Sequence, residues 1–186
     1  MGGMHKSKLK HRARAGHGEP TLGVVEVERE RSKDMTTEER NKALTLRGFE
    51  EMFNKGDLSV VDELVADRGE DHQEAPGTDF AEHLKDVIVR MRTAFPDLRF
   101  EIHHMLAEGD MVATRSTMTG THEGRFEIGP FREIPPTGRR VEWKHMHFFR
   151  WVDGKNTDLW HIMDTPGLMR QLGTSQETPQ REGASV

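Results

Sequence analysis

The sequence changes its hydrophobic period at Pro96, and this change restricts the chain to a fold that combines helices with a sheet. Before Pro96, apolar residues recur every three or four positions, as in amphipathic helices. After it, apolar and polar residues alternate, as in strands with one buried face. Because helices come first and strands follow, the order predicts an α+β fold, with helices packed on one face of a curved antiparallel sheet.

Three helices are predicted before this proline. Thr36 and Glu39 have the spacing of a capping box, and the helix that follows is expected to end near Gly56. Asp57 can cap a shorter second helix, and Asp79 opens a third. The second helix carries four apolar residues: Leu58, Val61, Leu64 and Val65.

Four strands are predicted after the proline, over about 98–106, Met111–His122, about 140–152 and about 156–164. The turn sequences Glu108-Gly109-Asp110 and Asp153-Gly154-Lys155 indicate antiparallel hairpins. The intervening segment, 123–139, is rich in glycine and proline, so we expect a loop over the mouth of a pocket. A short C-terminal helix, Pro166–Leu172, completes the domain.

The folded domain is expected to span residues 36–173. The ends, 1–35 and 174–186, lack a hydrophobic repeat and are interpreted as disordered tails, the first of them basic. The chain has a net charge of −5 despite this basic arm, so the body is acidic and a nucleic-acid partner is not expected. The absence of cysteine excludes disulfides and thiolate chemistry, and no apolar run is long enough to span a membrane. We therefore expect a soluble, cytoplasmic protein.

Large aromatic residues and imidazoles share one face of the strand at 140–152. Alternation places Trp143, His145, His147, Phe149 and Trp151 together. Such a face can line an apolar pocket in which two imidazoles donate to, or take protons from, a carbonyl-bearing ligand. The alternative is a pair of ordinary buried histidines.

A metal site is the competing interpretation of the histidines. His145 and His147 can face one ion on a strand, with His72 or Asp164 as a third ligand. Neither an H-E-x-x-H run nor a carboxylate at a diagnostic spacing accompanies the pair. We therefore predict no metal ligands, and no sequence signature of a nucleotide cofactor or a serine nucleophile is present.

Asp164 is the candidate general acid or base. It shares its parity in the last strand with Trp160, and a carboxylate beside an indole on a pocket wall is desolvated, which raises its pKa toward neutrality. The alternative is that Asp164 caps the helix that begins at Pro166. The two roles are compatible.

A series of motifs in the second half of the chain resembles the SnoaL-like polyketide (ester) cyclases, whose fold is the nuclear transport factor 2-like cone. The motifs are Gly120-x-His122-x-Gly124-Arg125, Pro135-Pro136-Thr137-x-Arg139-Arg140, His147-x-x-Arg150-x-x-Asp153-Gly154-Lys155 and Asp164-x-x-Gly167-x-x-Arg170-Gln171-Leu172-Gly173. The likeness extends over about 36–173 and includes Phe53-Asn54-Lys55-Gly56-Asp57 and Phe95-Pro96-Asp97.

The resemblance implies three N-terminal helices on a curved sheet around an aromatic or polyketide-type ligand. It also implies an intramolecular aldol ring closure without cofactor or metal, in which the family's catalytic Asp falls on Asp164 and its pocket His on His147. His145 and His72 are found where the family has Gln and Asn. We assign these two histidines to substrate binding, together with three tryptophans: Trp143, Trp151 and Trp160. A homodimer or homotetramer is implied as well. The alternatives are a cofactor-free hydroxylase, a hydrolase or isomerase, a metal-dependent lyase, and a non-catalytic small-molecule binding module.

Overall fold

Helices cover one face of a five-stranded sheet in the computed structural model, which describes residues 35–127 and 134–174. The helical elements are α1 (Thr37–Arg47), a π-helical segment (Gly48–Asn54), α2 (Ser59–Leu64), α3 (Phe80–Ala94) and α4 (Thr165–Leu172). The strands are β1 (Val65–Asp71), β2 (Arg99–Glu108), β3 (Met111–Thr121), β4 (Arg140–Val152) and β5 (Lys155–Met163). The predicted tails, apart from Met35 and Thr174, and residues 128–133 of the predicted loop lie outside the described residues.

The sheet is mixed, which corrects the prediction of an antiparallel one. Its strand order is β1-β5-β4-β3-β2, and β1 pairs parallel with β5 while the other neighbours are antiparallel. Sequence reasoning missed β1 because its residues, VADRGED, include a single buried position and show no apolar alternation. An edge strand of this kind is stabilised by its ladder to β5 and has no period of its own to detect.

The helix signals read from the sequence are confirmed at both capped starts. The Thr36 hydroxyl accepts from Glu39 N, with the reciprocal bond from Thr36 N to the Glu39 carboxylate, and the Asp79 carboxylate accepts from Glu82 N. The first helix continues past Arg47 as a π-helix instead of an uninterrupted α-helix. Val65, predicted on the second helix, is instead the first residue of β1.

Two tight turns set the strand pairing around β4. Gly109 joins β2 to β3, and Asp153-Gly154 joins β4 to β5 with positive φ at both residues. A pair of left-handed residues is the geometry of a two-residue hairpin whose twist matches the flanking strands. The Asp153-Gly154 turn brings His147 of β4 opposite His161 of β5, and the ladder between β3 and β4 brings it opposite Thr114 of β3.

The buried core consists of two hydrophobic clusters, and Phe53 and Phe149 pack against both. One cluster centres on Phe95 and Trp143, and the other on Val61 and Trp151. Both clusters contribute side chains to the lining of a cavity between the helices and the inner face of the sheet. None of the helices within the described residues is long and apolar enough to cross a membrane.

Candidate active site

A cavity of about 820 Å³ lies between the helical layer and the sheet. Most of its wall is apolar and aromatic, and seven of its rings are phenylalanine or tryptophan: Phe49, Phe53, Phe80, Phe100, Trp143, Phe149 and Trp151. A volume of this size accommodates a ligand of several fused rings, since small-molecule sites generally occupy about 300–1,000 Å³.

The inner face of β4 supplies one wall of this cavity. Trp143, His145, His147, Phe149 and Trp151 all line it, in the alternation read from the sequence. The imidazoles of His145 and His147 are stacked with ring centroids 5.5 Å apart. Four of the seven residues assigned to the site from the sequence are therefore brought together here.

Both imidazoles on β4 are held neutral by their surroundings. Burial lowers the pKa of His147 to about 3, with a further lowering by the His161 imidazole and an opposing effect of the Asp71 carboxylate. Burial, together with the neighbouring imidazoles, also lowers the pKa of His145 well below its ordinary value. Among the residues that the structure describes, neither ring nitrogen of His145, nor Nδ1 of His147, has a hydrogen-bond partner. Neutral imidazoles with unsatisfied nitrogens on an apolar wall can bind polar atoms of a ligand.

The register of β5 places a different set of residues in the cavity from the set predicted. Met163, His161 and Leu159 lie opposite His145, His147 and Phe149, and residues directly opposite each other share a face of a sheet. These three residues of β5 line the cavity. Trp160 and Ile162 therefore face outward, and Ile162 is 76% exposed.

Asp164 lies outside this cavity, which corrects the expectation that it shares a wall with the histidines. Its carboxylate accepts a hydrogen bond of 2.9 Å from Gly167 N and caps α4. It borders a shallow polar recess with Lys144 and Arg170. Of the two roles read from the sequence, the helix cap is present in the structure.

His72 and Trp160 are also outside the cavity, contrary to their assignment as substrate-binding residues. Their rings stack on the outer side of the sheet at 4.3 Å with an interplanar angle of 4°. His72 Nε2 lies 2.9 Å from Asp158 Oδ1, and Arg150 lies over the indole of Trp160. The cause is again register: Asp71 pairs with Leu159 and points inward, so the next residue, His72, points outward.

An Asp71–His161 pair, which sequence reasoning missed, stands in the cavity where Asp164 was expected. His161 Nε2 lies 3.3 Å from Asp71 Oδ2, and Gln73 N donates to Asp71 Oδ1. Burial raises the pKa of Asp71, but hydrogen bonds from His161 and Gln73 and the charges of His161 and His83 outweigh it, so the pKa falls below its ordinary value. Asp71 is thus a carboxylate beside an imidazole. Sequence reasoning missed the pair because β1 has no apolar alternation that would place Asp71 on a face.

A second carboxylate–imidazole pair borders the same end of the cavity. His83 Nε2 of α3 lies 3.3 Å from Glu74 Oε1, and both residues line the cavity. The possible ligand atoms of Asp71, Glu74 and His83 all lie within 4.8 Å of one another. The metal set considered from the sequence, by contrast, is divided between the two faces of the sheet.

The cavity wall therefore carries a row of three imidazoles that ends at a carboxylate. The centroids of His147 and His161 are 5.9 Å apart, so the row runs from His145 through His147 and His161 to Asp71. A carboxylate that accepts from one nitrogen of an imidazole fixes its tautomer and favours proton uptake at the other nitrogen. The arrangement can hold a ligand by its apolar surface, bind its oxygens and exchange a proton with it.

Comparison with known proteins gives one family match and several similar structures. The family model described as SnoaL-like polyketide cyclase matches residues 43–172. TsrD from Streptomyces laurentii is 26% identical, over 73% of this chain and 96% of its own, with a TM-score of 0.65. AclR from Streptomyces galilaeus, described as a candidate hydroxylase, is 30% identical over 75% of this chain and 85% of its own, with a TM-score of 0.62.

IdmH from Streptomyces antibioticus, described as a candidate polyketide cyclase, is 30% identical to this chain. The similarity covers 72% of this chain and 98% of IdmH, with a TM-score of 0.61. None of the curated proteins matches the sequence. The solved relatives thus include two described activities on a similar fold.

Proposed function

The chain belongs to the SnoaL-like polyketide cyclase family, and on that premise we propose that it is an enzyme that transfers protons on a polycyclic carbonyl compound bound in the cavity. The proposed reaction is an intramolecular aldol-type ring closure. A base takes a proton from the carbon next to a carbonyl, the resulting enolate attacks a second carbonyl of the same molecule, and the new alkoxide is protonated. Each step uses side chains that line the cavity.

His161 is the proposed base. With Nε2–H donated to Asp71, its Nδ1 carries the lone pair that accepts the proton from carbon, and the resulting imidazolium is stabilised by the carboxylate 3.3 Å away. The same imidazolium then returns the proton to the alkoxide. Asp71 orients the ring and compensates its charge, the role that a buried carboxylate has in other Asp–His pairs.

His147 and His145 are the proposed stabilisers of the enolate oxygen. Because burial lowers the pKa of both, each is a neutral imidazole with one N–H to donate. Donors that are already positioned in a water-poor cavity stabilise developing negative charge more effectively than water does. The aromatic side chains, including Trp143 and Trp151, would contact the faces of the ligand rings.

The position of the Asp71–His161 pair is the single observation that carries this proposal. It is a carboxylate–imidazole pair whose imidazole lies next to the β4 histidines in a cavity large enough for a polycyclic ligand. Asp164 is the base implied by the family resemblance, but its carboxylate lies outside the cavity and accepts from Gly167 N. We therefore assign proton transfer to His161 and not to Asp164.

Solvent deuterium exchange tests the assignment without knowledge of the natural substrate. Aryl ketones from 1-tetralone to tetracyclic ketones are incubated with protein in D₂O, and loss of the α-proton NMR signal is followed. Wild-type protein should accelerate exchange, and His161→Gln and Asp71→Asn should lower the rate by about 10²-fold. Asp164→Asn, the matched control, should retain exchange. Loss of exchange in Asp164→Asn alone, or no acceleration with any ketone, would contradict the proposal.

Hydroxylation of the same class of ligand is a second candidate, because AclR is described as a candidate hydroxylase and is 30% identical. Hydroxylation takes its oxygen atom from an external oxidant, whereas ring closure conserves the atoms of the substrate. An oxygen electrode with a bound ketone separates the two: stoichiometric O₂ consumption would favour hydroxylation, and unchanged O₂ with a product of equal mass would favour cyclisation.

The outer face of the sheet is proposed as the interface of a homodimer. Four exposed apolar residues lie on it in adjacent strands: Leu106, Met146, Phe148 and Ile162. Register places them side by side, since Met146 pairs with Ile162 and Ala113 pairs with both Leu106 and Phe148. Contiguous exposed apolar surface of this kind generally marks an interaction site.

A further inference from the structure

Asp71, Glu74 and His83 form a cluster at one end of the cavity that the proposed ring closure uses only in part. Their ligand atoms lie within 4.8 Å of one another, and they come from three elements: β1, the segment after it, and α3. Two carboxylates and an imidazole are donors that bind first-row divalent transition ions. We propose that this cluster is a binding site for one such ion, of the Zn²⁺ type, at the edge of the cavity.

One distance within the cluster equals that of a filled site, and the others need a small movement. In a tetrahedral zinc site with bonds of about 2.0–2.1 Å, neighbouring ligand atoms lie about 3.3 Å apart. Glu74 Oε1 and His83 Nε2 are separated by 3.3 Å. The remaining separations, up to 4.8 Å, need a contraction of about 1.5 Å at most. Glu74 is exposed and follows the end of β1, so its side chain can move toward the other two.

Asp71 is oriented in the manner of a metal-binding carboxylate. Its oxygens accept hydrogen bonds from Gln73 N at 3.0 Å and from His161 Nε2 at 3.3 Å, and its side chain is 8% exposed. Hydrogen bonds from a surrounding shell generally hold ligating carboxylates in place. His161 therefore lies one contact from the proposed ion.

The local charge balance independently points to a cation. Within the described residues, the ion pairs of Asp71 and Glu74 are with His161 and His83, and neither carboxylate pairs with a lysine or arginine. Asp71 is a buried carboxylate at the apolar wall of the cavity, and Glu74 places a second, solvent-exposed carboxylate beside it. Buried charges are generally paired or coordinate metal ions, because an isolated charge loses its hydration.

The imidazole of His145 is a second polar group in the same cavity. His145 is 3% exposed and lines the cavity, and neither of its ring nitrogens has a hydrogen-bond partner within residues 35–127 and 134–174. This observation indicates that the cavity is built for a polar occupant, and the cluster adds a cationic anchor for it. The inference concerns ion binding alone and is independent of the proposed ring closure.

Metal titration of the full chain tests the site directly. Protein treated with a chelator is titrated with ZnCl₂ by calorimetry, and Co²⁺ is added separately as a spectroscopic probe. We expect one Zn²⁺ to bind per chain. We also expect bound Co²⁺ to show the visible absorption of an ion with a low coordination number. Glu74→Gln and His83→Ala should each weaken Zn²⁺ binding at least tenfold and lose the Co²⁺ signal. Because Glu74 is exposed, Glu74→Gln is expected to fold even if His83→Ala does not.

Two controls separate this site from other histidines of the chain. His103→Ala removes an imidazole of β2 whose side chain has the same 28% exposure as that of His83 and which also has a glutamate neighbour, Glu101, on the same strand. A second control replaces the three histidines of the N-terminal arm: His5, His11 and His17. Both should bind Zn²⁺ as the wild type does. The proposal is overturned if the wild type binds no stoichiometric ion, or if Glu74→Gln retains full affinity. Failure of the deuterium-exchange assay would leave this result unaffected.

Discussion

Replacing His147 should remove a defined part of the protein's sensitivity to acid. Burial lowers the pKa of this imidazole from about 6.5 to about 3 in the folded chain, whereas the unfolded chain exposes it to water. Between these two values the unfolded state binds a proton that the folded state does not. The free energy of unfolding therefore decreases as the pH falls through 6.5 and continues to decrease down to about pH 3.

The magnitude follows from the pKa difference. At pH 5, about 1.5 units below the unfolded pKa, protonation of the unfolded state at about 1.4 kcal/mol per unit destabilises the fold by about 2 kcal/mol. At pH 7.5 the same contribution is about zero. The pKa of His145 shifts in the same direction, and burial, the largest cause of its shift, remains in both proteins.

Urea unfolding at pH 7.5 and pH 5.0 measures the effect. The wild type should lose about 2 kcal/mol more than His147→Gln between the two pH values, because glutamine keeps polar hydrogen-bonding groups without a titrating ring. His103→Gln, which removes an imidazole bonded to Thr117, serves as the control and should behave like the wild type. An equal loss in the wild type and in His147→Gln would refute the argument that His147 is buried in its neutral form.

Three further predictions concern the cap, the outer face and a packed glycine. Asp164→Ala should destabilise the protein by about 1 kcal/mol through loss of the α4 cap. The quenching of tryptophan fluorescence by an added tetracyclic ketone should stay the same in this variant. Altered quenching would place Asp164 in the ligand site. Ile162→Lys should halve the mass measured by light scattering if the outer face is a dimer interface, and an unchanged mass would exclude that interface. Gly124→Ala should destabilise the protein by about 2 kcal/mol, because a Cβ there would clash with the backbone oxygen of Thr93. Thermal unfolding tests it, and a melting temperature equal to that of the wild type would contradict the close approach.

Much of the fold was predictable because its signals are local. Capping residues, the change of period at Pro96 and the glycine turns act within a few residues of one another, and the starts of α1 and α3 and the hairpins agree with them. The second helix begins after Leu58, without the cap predicted at Asp57. The inner face of β4 was predictable for the same reason, since alternation along one strand is a property of that strand. The parallel edge strand was not predictable, because β1 carries no apolar repeat.

Tertiary structure decided which titratable side chains of the candidate site face the cavity. Both parities of β5 contain apolar residues and a titratable group, so its sequence alone did not decide whether His161 or Asp164 faces the cavity. Pairing of His147 with His161 decided it, because a shift of one residue in register exchanges the two faces of a strand. Asp71 reached His161 through the parallel pairing of strands 90 positions apart in the chain. The sequence by itself thus determined the elements and the aromatic, histidine-bearing wall, whereas strand register, a long-range property, selected the acid–base pair that faces the ligand.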